Sequence, residues 1–431
     1  MPTLPIYSAA DLSAFFKNRY PQRKLENLVA YGKPTLESLK KSDELTGVTT
    51  YVPIELDSPQ GIGSTLYHAY VQGDGGSGAA GGGGIFGRAW ALTRAKKYAV
   101  LFQDAETMMA SRNDEGAFFR SKEAHVNRIM EQLGQDLERS LWSDGTGSLA
   151  TFGSDPGTGV LATLTNRSDI IKFHRGMSFM VYANSSGVPG TVAAGGPYIV
   201  KEIQEDDGTF TTTAALDTAI ATGDHIVRAT ADTSAAYRDL NAEIKGIPAW
   251  IPSTVASSGD SFLGVDRYVS TVKLAGHRQT WLGSLEESVK SLDAKMASVA
   301  QKGRTLWLSY SNFNRLEIEL GARGYRMEDG KEGTFGRIAL KMSTPGGGIT
   351  VKAGPYVPEG AGYLLDMDTW KLCTLGAAPH LVQDDGLSAM RLAAGSAGTT
   401  GNEADGIEIR WRYFAQLLCT NPYSNGRFTI S

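Results

Sequence analysis

Residue groups that could do chemistry occur at several places in this 431-residue sequence, and the first is a glycine-rich phosphate motif. Residues 73–78, with the sequence GDGGSG, match the GxGxxG pattern and follow a strand-like segment. The run of alanine and glycine after them cannot open the helix whose N-terminus would hold a pyrophosphate. The sequence contains neither GxSxG nor GxxxxGK followed by serine or threonine. These patterns therefore do not predict a nucleotide site or a serine nucleophile.

Metal ligands and catalytic side chains show no clustering along the sequence. The six histidines stand at positions 68, 125, 174, 225, 277 and 380, so no two of them form a local ligand pair. The segments 206–208 and 384–386 are both Asp-Asp-Gly, which is typical of turns. Cys373 and Cys419 occupy apolar positions of strand-like runs, as buried reduced thiols do. We predict no catalytic residue, no cofactor and no metal site, and hence a protein that is not an enzyme.

Composition argues against two further classes of protein. The chain carries 42 basic and 46 acidic residues, so it lacks the basic excess of proteins that grip nucleic acid through its phosphates. No run of about 18 apolar residues occurs, and the N-terminus has no apolar core of signal-peptide length. We expect a soluble protein that is neither secreted nor inserted in a membrane.

Glycine supplies eight of the twelve residues between Gly73 and Gly84, so this stretch has nothing large to pack. The flanking segments 61–72 and 85–102 are rich in β-branched and aromatic residues, which predicts a long two-stranded arm with a flexible tip. A disordered linker between two domains is the alternative. The arm is favoured by side chains suited to lying on another surface, namely Tyr67, Tyr70, Arg88, Trp90, Arg94, Lys96 and Lys97. Because an isolated hairpin is marginal in water, such an arm needs a partner surface.

Helical periodicity marks two segments of the first third. A short amphipathic helix that carries Phe15 and Phe16 is predicted before Pro21, within an extended first 45 residues. A long helix is predicted from Asp114 to Trp142, with Gly145 as its stop signal. Its apolar positions form one stripe, so we expect it to lie across a sheet. Its other faces carry Arg120, Glu123, Arg128, Glu131, Glu138 and Arg139.

Strand signals dominate the rest of the sequence. Short strands and turns at regular spacing between about 170 and 229 predict a small inserted β-barrel. Two helices follow, one from Leu285 to Gly303 capped by Ser284 and one capped by Ser311, with a strand at 305–308 between them. From Glu408 to Cys419 apolar and polar residues alternate, which predicts a strand long enough to match the long helix. The fold class is therefore α+β.

The order of these parts resembles the major capsid protein of tailed bacteriophages with the HK97 fold, across nearly the whole chain. The matching stretches are the helix ending at 141–147, the segment 247–252, the helix 285–303, the segment 362–372 and the ending 408–430. This resemblance implies an N-terminal arm at 1–46, an extended loop (E-loop) at 47–103 and a peripheral domain with a spine helix at 104–169. It further implies a β-rich insertion at 170–230, a continued peripheral domain at 231–276, a mixed α/β axial domain at 277–404 and a returning C-terminal strand at 405–431.

By the same resemblance, the chain would assemble with copies of itself into hexamers and pentamers of an icosahedral head enclosing double-stranded DNA. We expect assembly in the host bacterial cytoplasm and a final location in the virion. Expected partners are a separate scaffolding protein, since few residues precede the first arm helix, a portal and a decoration protein. Expected subunit contacts lie on the arms and last strand, at Phe15, Phe16, Tyr67, Tyr70, Gly81, Gly84, Trp90, Arg94, Lys96, Lys97, Arg410 and Arg412.

Two alternatives of function remain open at the level of sequence. One is an encapsulin-like nanocompartment shell that holds protein cargo, and the other is a soluble enzyme with a glycine-rich lid. Some relatives of the resembled family seal their shell with a lysine to asparagine isopeptide bond, for which Lys96 and Lys97 would be the donors. No matching asparagine and glutamate is found, so we expect non-covalent sealing.

Overall fold

The computed structural model describes residues 32–43, 45, 47–57, 62–73, 86–104, 121–193, 195–229, 239–296, 304–321, 341–344, 347–376, 378–381, 391–392 and 406–431. Its helices are α1 (Pro34–Ser38), α2 (Leu66–Gly73), α3 (Ser121–Leu141), α4 (Ile247–Trp250), α5 (Leu285–Met296) and α6 (Tyr310–Gly321).

The strands of these ranges form three large sheets and two small hairpins. They are β1 (Lys40–Ser42), β2 (Thr49–Asp57), β3 (Phe86–Thr93), β4 (Ala95–Asp104), β5 (Ser148–Thr151), β6 (Leu161–Thr163), β7 (Ser178–Ser185), β8 (Val188–Val192), β9 (Tyr198–Gln204), β10 (Thr209–Thr212), β11 (His225–Arg228), β12 (Ser261–Phe262), β13 (Val265–Asp266), β14 (His277–Gln279), β15 (Arg304–Leu308), β16 (Lys341–Thr344), β17 (Gly347–Ala353), β18 (Ala361–Asp366), β19 (Trp370–Thr374), β20 (His380–Leu381), β21 (Arg391–Leu392), β22 (Gly406–Cys419) and β23 (Gly426–Thr429).

The central sheet is built on the long strand β22. Strand β4 pairs antiparallel with one edge of β22 over the whole length of β4. Strands β19, β20 and β21 pair with the other edge of β22, and β1 pairs in parallel with β19. The strand predicted from Glu408 to Cys419 is confirmed, and Trp411, Tyr413 and Leu417 on one face are buried. Helix α3 lies against this face, with Leu133 and Leu137 in the same core. Glu408 and Gln416 of the predicted polar face are buried as well.

A second sheet carries the two predicted helices of the last third. Its order is β14-β23-β18-β15-β17-β16, and we call it the axial sheet. Apolar residues of α5 and α6, such as Leu292 and Leu316, are buried with Leu306, Leu364 and Phe428 on one face. On the other face Trp307 and Tyr363 belong to the core of the central sheet. The axial sheet is thus covered on both sides.

The insertion forms the predicted closed barrel. Its strands run in the order β5-β11-β7-β9-β10-β6, with β8 added to β7. A bridge between Phe152 and Leu164 joins the two ends, and the Thr165 amide donates to the Thr151 carbonyl at 2.9 Å. Aromatic side chains fill the interior, among them Phe179 and Phe210. The barrel begins at β5, before residue 170, where the sequence placed the start of the insertion.

The structure corrects the first strand of the predicted arm. The arm consists of β2 paired antiparallel with β3, whereas the segment 61–72 contains helix α2 instead of a strand. The Thr65 hydroxyl accepts a hydrogen bond from the His68 amide at 3.2 Å, and the Thr65 carbonyl accepts one from Ala69. This N-terminal cap, combined with only one β-branched residue in Leu66–Gly73, favours the helix.

The predicted helices of the body are confirmed over the described residues, with one corrected cap. Helix α3 covers 121–141 of the predicted 114–142, and α5 covers 285–296 of the predicted 285–303. The Ser284 hydroxyl accepts from the Glu287 amide at 3.2 Å, as predicted. At α6 the cap is Ser309 instead of Ser311, since the Ser309 hydroxyl accepts from the Asn312 amide at 3.3 Å. The predicted first helix, with Phe15 and Phe16, lies outside the described residues.

Candidate assembly surfaces and a buried ion network

The base of the arm is anchored in the body by an aromatic cluster. Trp90 of β3 has no exposed surface and meets Trp250 and Phe262 edge to face, with ring centroids 5.1 and 6.1 Å away. The Ala91 amide donates to the Leu263 carbonyl at 2.8 Å. Trp90 was expected at a subunit contact, but the structure places it inside the subunit, where it fixes the direction of the arm.

Beyond this base the arm presents large apolar side chains to solvent. Ile62, Leu66 and Tyr67, around the start of α2, are 86%, 88% and 72% exposed, and Tyr51 of β2 is 69% exposed. Single exposed apolar residues are common on protein surfaces, but a group of them on a thin projection marks an interaction surface. Tyr67, one of the predicted contact residues, is among these exposed side chains. Tyr70 belongs to α2, and Gly81 and Gly84 lie outside the described residues.

The two lysines predicted as contacts face opposite sides of β4. Lys96 is exposed, whereas Lys97 points into the body and is 9% exposed. Its ammonium nitrogen lies 2.6 Å from Asp239 and 3.4 Å from Glu243. Lys97 is therefore a structural ion-pair partner, not a surface contact or an exposed cross-link donor. Arg94, the residue between β3 and β4, is half-buried.

The arginines of β22 lie on the face of the central sheet opposite α3. Arg410 donates to Glu408 at 2.5 Å, and the Arg412 Nε donates to the His380 Nε2 at 3.0 Å. The Arg412 guanidinium also stacks on Phe414, 5.4 Å from the ring centroid. Both arginines are half-buried, so they are available to a neighbour only in part.

A buried ion network joins α3 to the segment after the insertion. Arg139 binds Glu243 through both terminal nitrogens and Asp136 at 2.9 Å. Asp136 also accepts from Arg228 at 3.2 Å and from the Tyr413 hydroxyl at 3.3 Å. Arg139 is 5% exposed and the Glu243 residue 3%. The network therefore connects the spine helix, the central sheet and the last strand of the barrel.

Electrostatics holds the two carboxylates of this network ionised. Burial by itself would raise the pKa of Asp136, but the nearby Arg139, Arg228 and Lys97 outweigh it and hold the pKa well below its ordinary value. Burial likewise opposes ionisation of Glu243, and Arg139 and Lys97 again hold its pKa below the ordinary value. Burial raises the pKa of Tyr413. The positive and negative groups thus depend on one another to stay charged away from water.

A cavity of about 430 Å³ opens next to the network, between β4, α3 and the barrel. Lys96, Asp136, His174 and Arg228 are among its lining residues. Burial and the nearby Arg228 lower the pKa of His174. The barrel therefore meets the body partly through charged groups around a gap.

Hydrogen bonds join the segment before the arm to the end of α3. The Glu138 carboxylate, with no exposed surface, accepts the amides of Thr35 and Leu36 at 2.9 and 2.7 Å. The Trp142 indole donates to the Thr35 hydroxyl at 2.9 Å. Burial raises the pKa of Glu138. This contact caps α1, and β1 then continues into the central sheet.

Sequence reasoning missed both the Arg139 ion network and the contact of Glu138 with α1, because Glu138 and Arg139 appear on polar faces of α3. Both are buried, Glu138 under α1 and Arg139 under Glu243. The helix is therefore covered on more than its apolar stripe. Thr35, which binds Glu138, and Glu243, which binds Arg139, lie more than 100 residues away, so no local pattern links them to α3.

Two further properties of the described residues concern metal ions and membranes. No group of three or more histidine, cysteine, aspartate or glutamate side chains there is arranged to hold a metal ion. Within the same ranges, no helix combines the length and apolar composition that a bilayer crossing requires. Cys373 and Cys419 are both buried, as predicted, and burial raises the pKa of the Cys419 thiol.

Comparison with solved structures identifies the fold. The chain is similar to the capsid asymmetric unit of cyanophage A-1(L), with a TM-score of 0.51 and 12% identity over 94% of this chain and 95% of that one. It is also similar to the capsid of cyanophage P-SCSP1u, with a TM-score of 0.44 and 9% identity over 96% and 94% of the two chains. A third similarity is to the holo-SrpI encapsulin complex from Synechococcus elongatus PCC 7942, with a TM-score of 0.46 and 7% identity over 99% and 96%.

The fold is that of phage capsid proteins, HK97-like, with a spine helix on a central sheet, an axial sheet and an extended arm. The resemblance drawn from the sequence is thereby confirmed at the level of the fold. No protein-family model matches this chain, and no curated protein sequence matches it significantly.

Proposed function

We propose that this chain is the major capsid protein of a tailed bacteriophage, which assembles into hexamers and pentamers of an icosahedral head around double-stranded DNA. The observation that carries the proposal is the capsid fold, shared with the cyanophage A-1(L) capsid over 94% of this chain. A chain that keeps this architecture end to end keeps the parts that a shell requires.

The arm supports the proposal physically. A closed shell repeats one subunit, so each copy must present contacts that close in two directions. The exposed Ile62, Leu66 and Tyr67 project from an arm whose base is fixed by Trp90, so a neighbouring copy can cover them without disturbing the body. Obligate interfaces of this kind bury about 2,000 Å² or more in total.

The remaining contact residues take defined places in this proposal. Arg94 and Lys96 lie near the arm base, and Arg410 and Arg412 lie on one face of the central sheet. They pair with neighbouring copies, together with the N-terminal residues Phe15 and Phe16. The net charge of −4 suits a lining along which packaged DNA slides instead of adhering.

The partners proposed with this function are a separate scaffolding protein, a portal and a decoration protein. Assembly takes place in the host cytoplasm, and the mature location is the virion. The chain acts as a structural component and not as an enzyme.

The proposal is tested by expressing the full chain, alone and with candidate scaffolding proteins from its genomic neighbourhood. We expect particles of uniform diameter in size-exclusion chromatography and electron microscopy, with pentameric and hexameric rings in reconstructions. Particles from the native source should contain DNA and one portal vertex. Uniform particles filled with protein cargo would indicate a nanocompartment, and a chain that remains monomeric or dimeric under all these conditions would refute a shell function.

A further inference from the structure

A row of cationic and aromatic side chains crosses the axial sheet on the face away from α5 and α6. The strand register places Arg278 beside Arg427, Arg427 beside Tyr363, Tyr363 beside Trp307, and Trp307 beside Lys352. Neighbours in register lie about 4.8 Å apart and point to the same face. Two arginines are therefore adjacent at the β14 end of the row.

Arg427 lacks a carboxylate partner within the described residues. Its guanidinium lies over the Tyr363 ring, 5.5 Å from the centroid. Its Nε is buried and has no hydrogen-bond acceptor there, and the buried Tyr363 hydroxyl has none either. Buried donors without acceptors are uncommon in folded proteins, because each one loses its water without compensation. Both of these atoms are enclosed, but Arg427 as a whole is only half-buried, so part of this residue can be reached from outside the subunit.

Arg278 adds positive charge, and within the described residues it forms no ion pair with a carboxylate. Its guanidinium donates to the backbone carbonyls of Pro252, Thr271 and Ala275, at 3.0 to 3.4 Å. Burial lowers the pKa of Arg278, and the nearby Arg267 and Arg427 lower it further.

Among these arginines, the described residues give a carboxylate only to Arg267, which binds Asp260 at 3.0 Å. Like charges directly opposite each other on neighbouring strands are destabilising. The isolated subunit therefore keeps an unfavourable feature at this point, and an arriving anion would relieve it.

We propose that Arg427 binds a carboxylate of a second copy of this chain, with Arg278 strengthening the attraction, and that this contact forms on assembly. The inference rests on the shell function proposed above. A guanidinium presents a planar fork that matches a carboxylate. Another copy of the chain can supply this carboxylate, because the chain carries 46 acidic against 42 basic residues overall.

The test compares Arg427→Gln with the wild type in subunit stability and in assembly. The subunit should melt within about 1 °C of the wild type, because the Arg427 Nε has no acceptor and the side chain forms no ion pair within the described part of the subunit. The concentration needed for half-maximal assembly should rise roughly tenfold or more, as expected for the loss of a charge-assisted contact. Arg427→Lys, which keeps the charge without the fork, should fall between the two.

The matched control is Arg167→Gln, on the barrel surface, where the arginine side chain is 66% exposed and lies 3.9 Å from Asp206. This variant should assemble as the wild type does. Wild-type assembly by Arg427→Gln, or a melting temperature of that subunit lowered by several degrees, would overturn the proposal. Normal shells with a reduced DNA content would also overturn it, because the occupant would then be a phosphate of the genome.

A second measurement separates this proposal from the shell function. Acetate, a free carboxylate, should raise the melting temperature of the unassembled wild-type subunit and leave Arg427→Gln unchanged, at constant ionic strength. This result holds for the site even if the wild type forms no shell, in which case the shell function fails and the carboxylate site does not. Equal responses of the two proteins would reject the site itself.

Discussion

At the scale of single residues, Arg139 supplies the positive charge that neutralises two buried carboxylates. It binds both Glu243 and Asp136, and it is 5% exposed. An ion pair in such a place contributes little net stability over an apolar substitute, but removal of one partner leaves a charge stranded away from water. The loss is therefore much larger than the net contribution of the pair.

Arg139→Met should reduce the free energy of unfolding by about 3–5 kcal/mol, since Glu243 and Asp136 would lose their main counter-charge. Urea denaturation of the unassembled subunit measures this. The control is Arg128→Met on the exposed face of the same helix, which should change the free energy by less than about 0.5 kcal/mol. Similar losses in both variants would show that the network does not stabilise the subunit as described.

Histidine burial makes the subunit sensitive to mild acid. Burial lowers the pKa of His225 from its ordinary 6.5; its Nδ1 lies 2.9 Å from the Ser148 hydroxyl, and its buried Nε2 has no acceptor within the described residues. The pKa of His277 is lowered in the same way by burial and by the nearby Arg304. A lowered folded-state pKa means that the unfolded chain binds the proton more tightly. Stability is therefore complete above about pH 7 and is lost as the pH falls through 6.5.

We expect the melting temperature of the wild-type subunit to fall between pH 7.5 and pH 5.5. His225→Asn keeps a polar group at the Nδ1 position but does not titrate, so its fall should be smaller. Melting curves at the two values of pH, in buffers of equal ionic strength, measure the difference. If the melting temperature of His225→Asn falls as much as that of the wild type, titration of His225 does not cause the sensitivity to acid.

At the scale of elements, the residue that caps the start of α6 differs between the sequence prediction, Ser311, and the structure, Ser309. Ser309 and Ser311 both precede apolar helical positions. Ser309 directly follows β15 and is buried, and its hydroxyl accepts from the Asn312 amide. The end of the strand, set by pairing with β17 and β18, therefore fixes where the helix can begin.

Ser309→Ala should destabilise the subunit by about 1 kcal/mol, because one helix N–H loses its acceptor. Ser311→Ala lies inside the helix and should change stability by less than about 0.5 kcal/mol. Chemical denaturation of the two variants gives the comparison directly. A larger loss of stability in Ser311→Ala than in Ser309→Ala would indicate that Ser311 caps the helix, as the sequence predicted.

Helix α2 lies in a segment that its composition predicted to be a strand, because the cap of the helix was overlooked. Tyrosine and valine made the segment 61–72 resemble a strand, yet Thr65 caps a helix there. The strand that actually pairs with β3 is β2, whose residues Val52 and Ile54 are half-buried while Tyr51, Pro53 and Glu55 are exposed. The hairpin therefore closes over a longer loop than the sequence suggested.

At the scale of the whole molecule, the arm is an extension that is fixed to the body at its base. The Trp90 cluster fixes the base, but Leu66 and Tyr67 remain exposed in the single subunit. A flexible glycine tip would let the same arm settle into slightly different neighbour positions in a closed shell.

Replacement of glycines 81–84 by alanine should therefore hinder assembly and leave the subunit folded. The measurements are the yield of particles in electron microscopy and the melting temperature of the unassembled subunit. A control is Gly348→Ala with Gly360→Ala, where an added Cβ meets no atom within 4 Å. Normal particle yield from the 81–84 variant would contradict a requirement for flexibility at the tip.

Local patterns in the sequence determined the long spine helix, the alternating strand β22, the capped helix α5 and the inserted barrel. These elements follow from periodicity and turn chemistry, which act over a few residues, and their order was enough to indicate a capsid fold. Tertiary structure alone decided that Lys97 and Glu138 point inward, that Trp90 anchors the arm, and that Arg278 and Arg427 lie side by side. Their partners are distant in sequence, and burial, which sets the energy of every such charge, exists only after the sheets have packed.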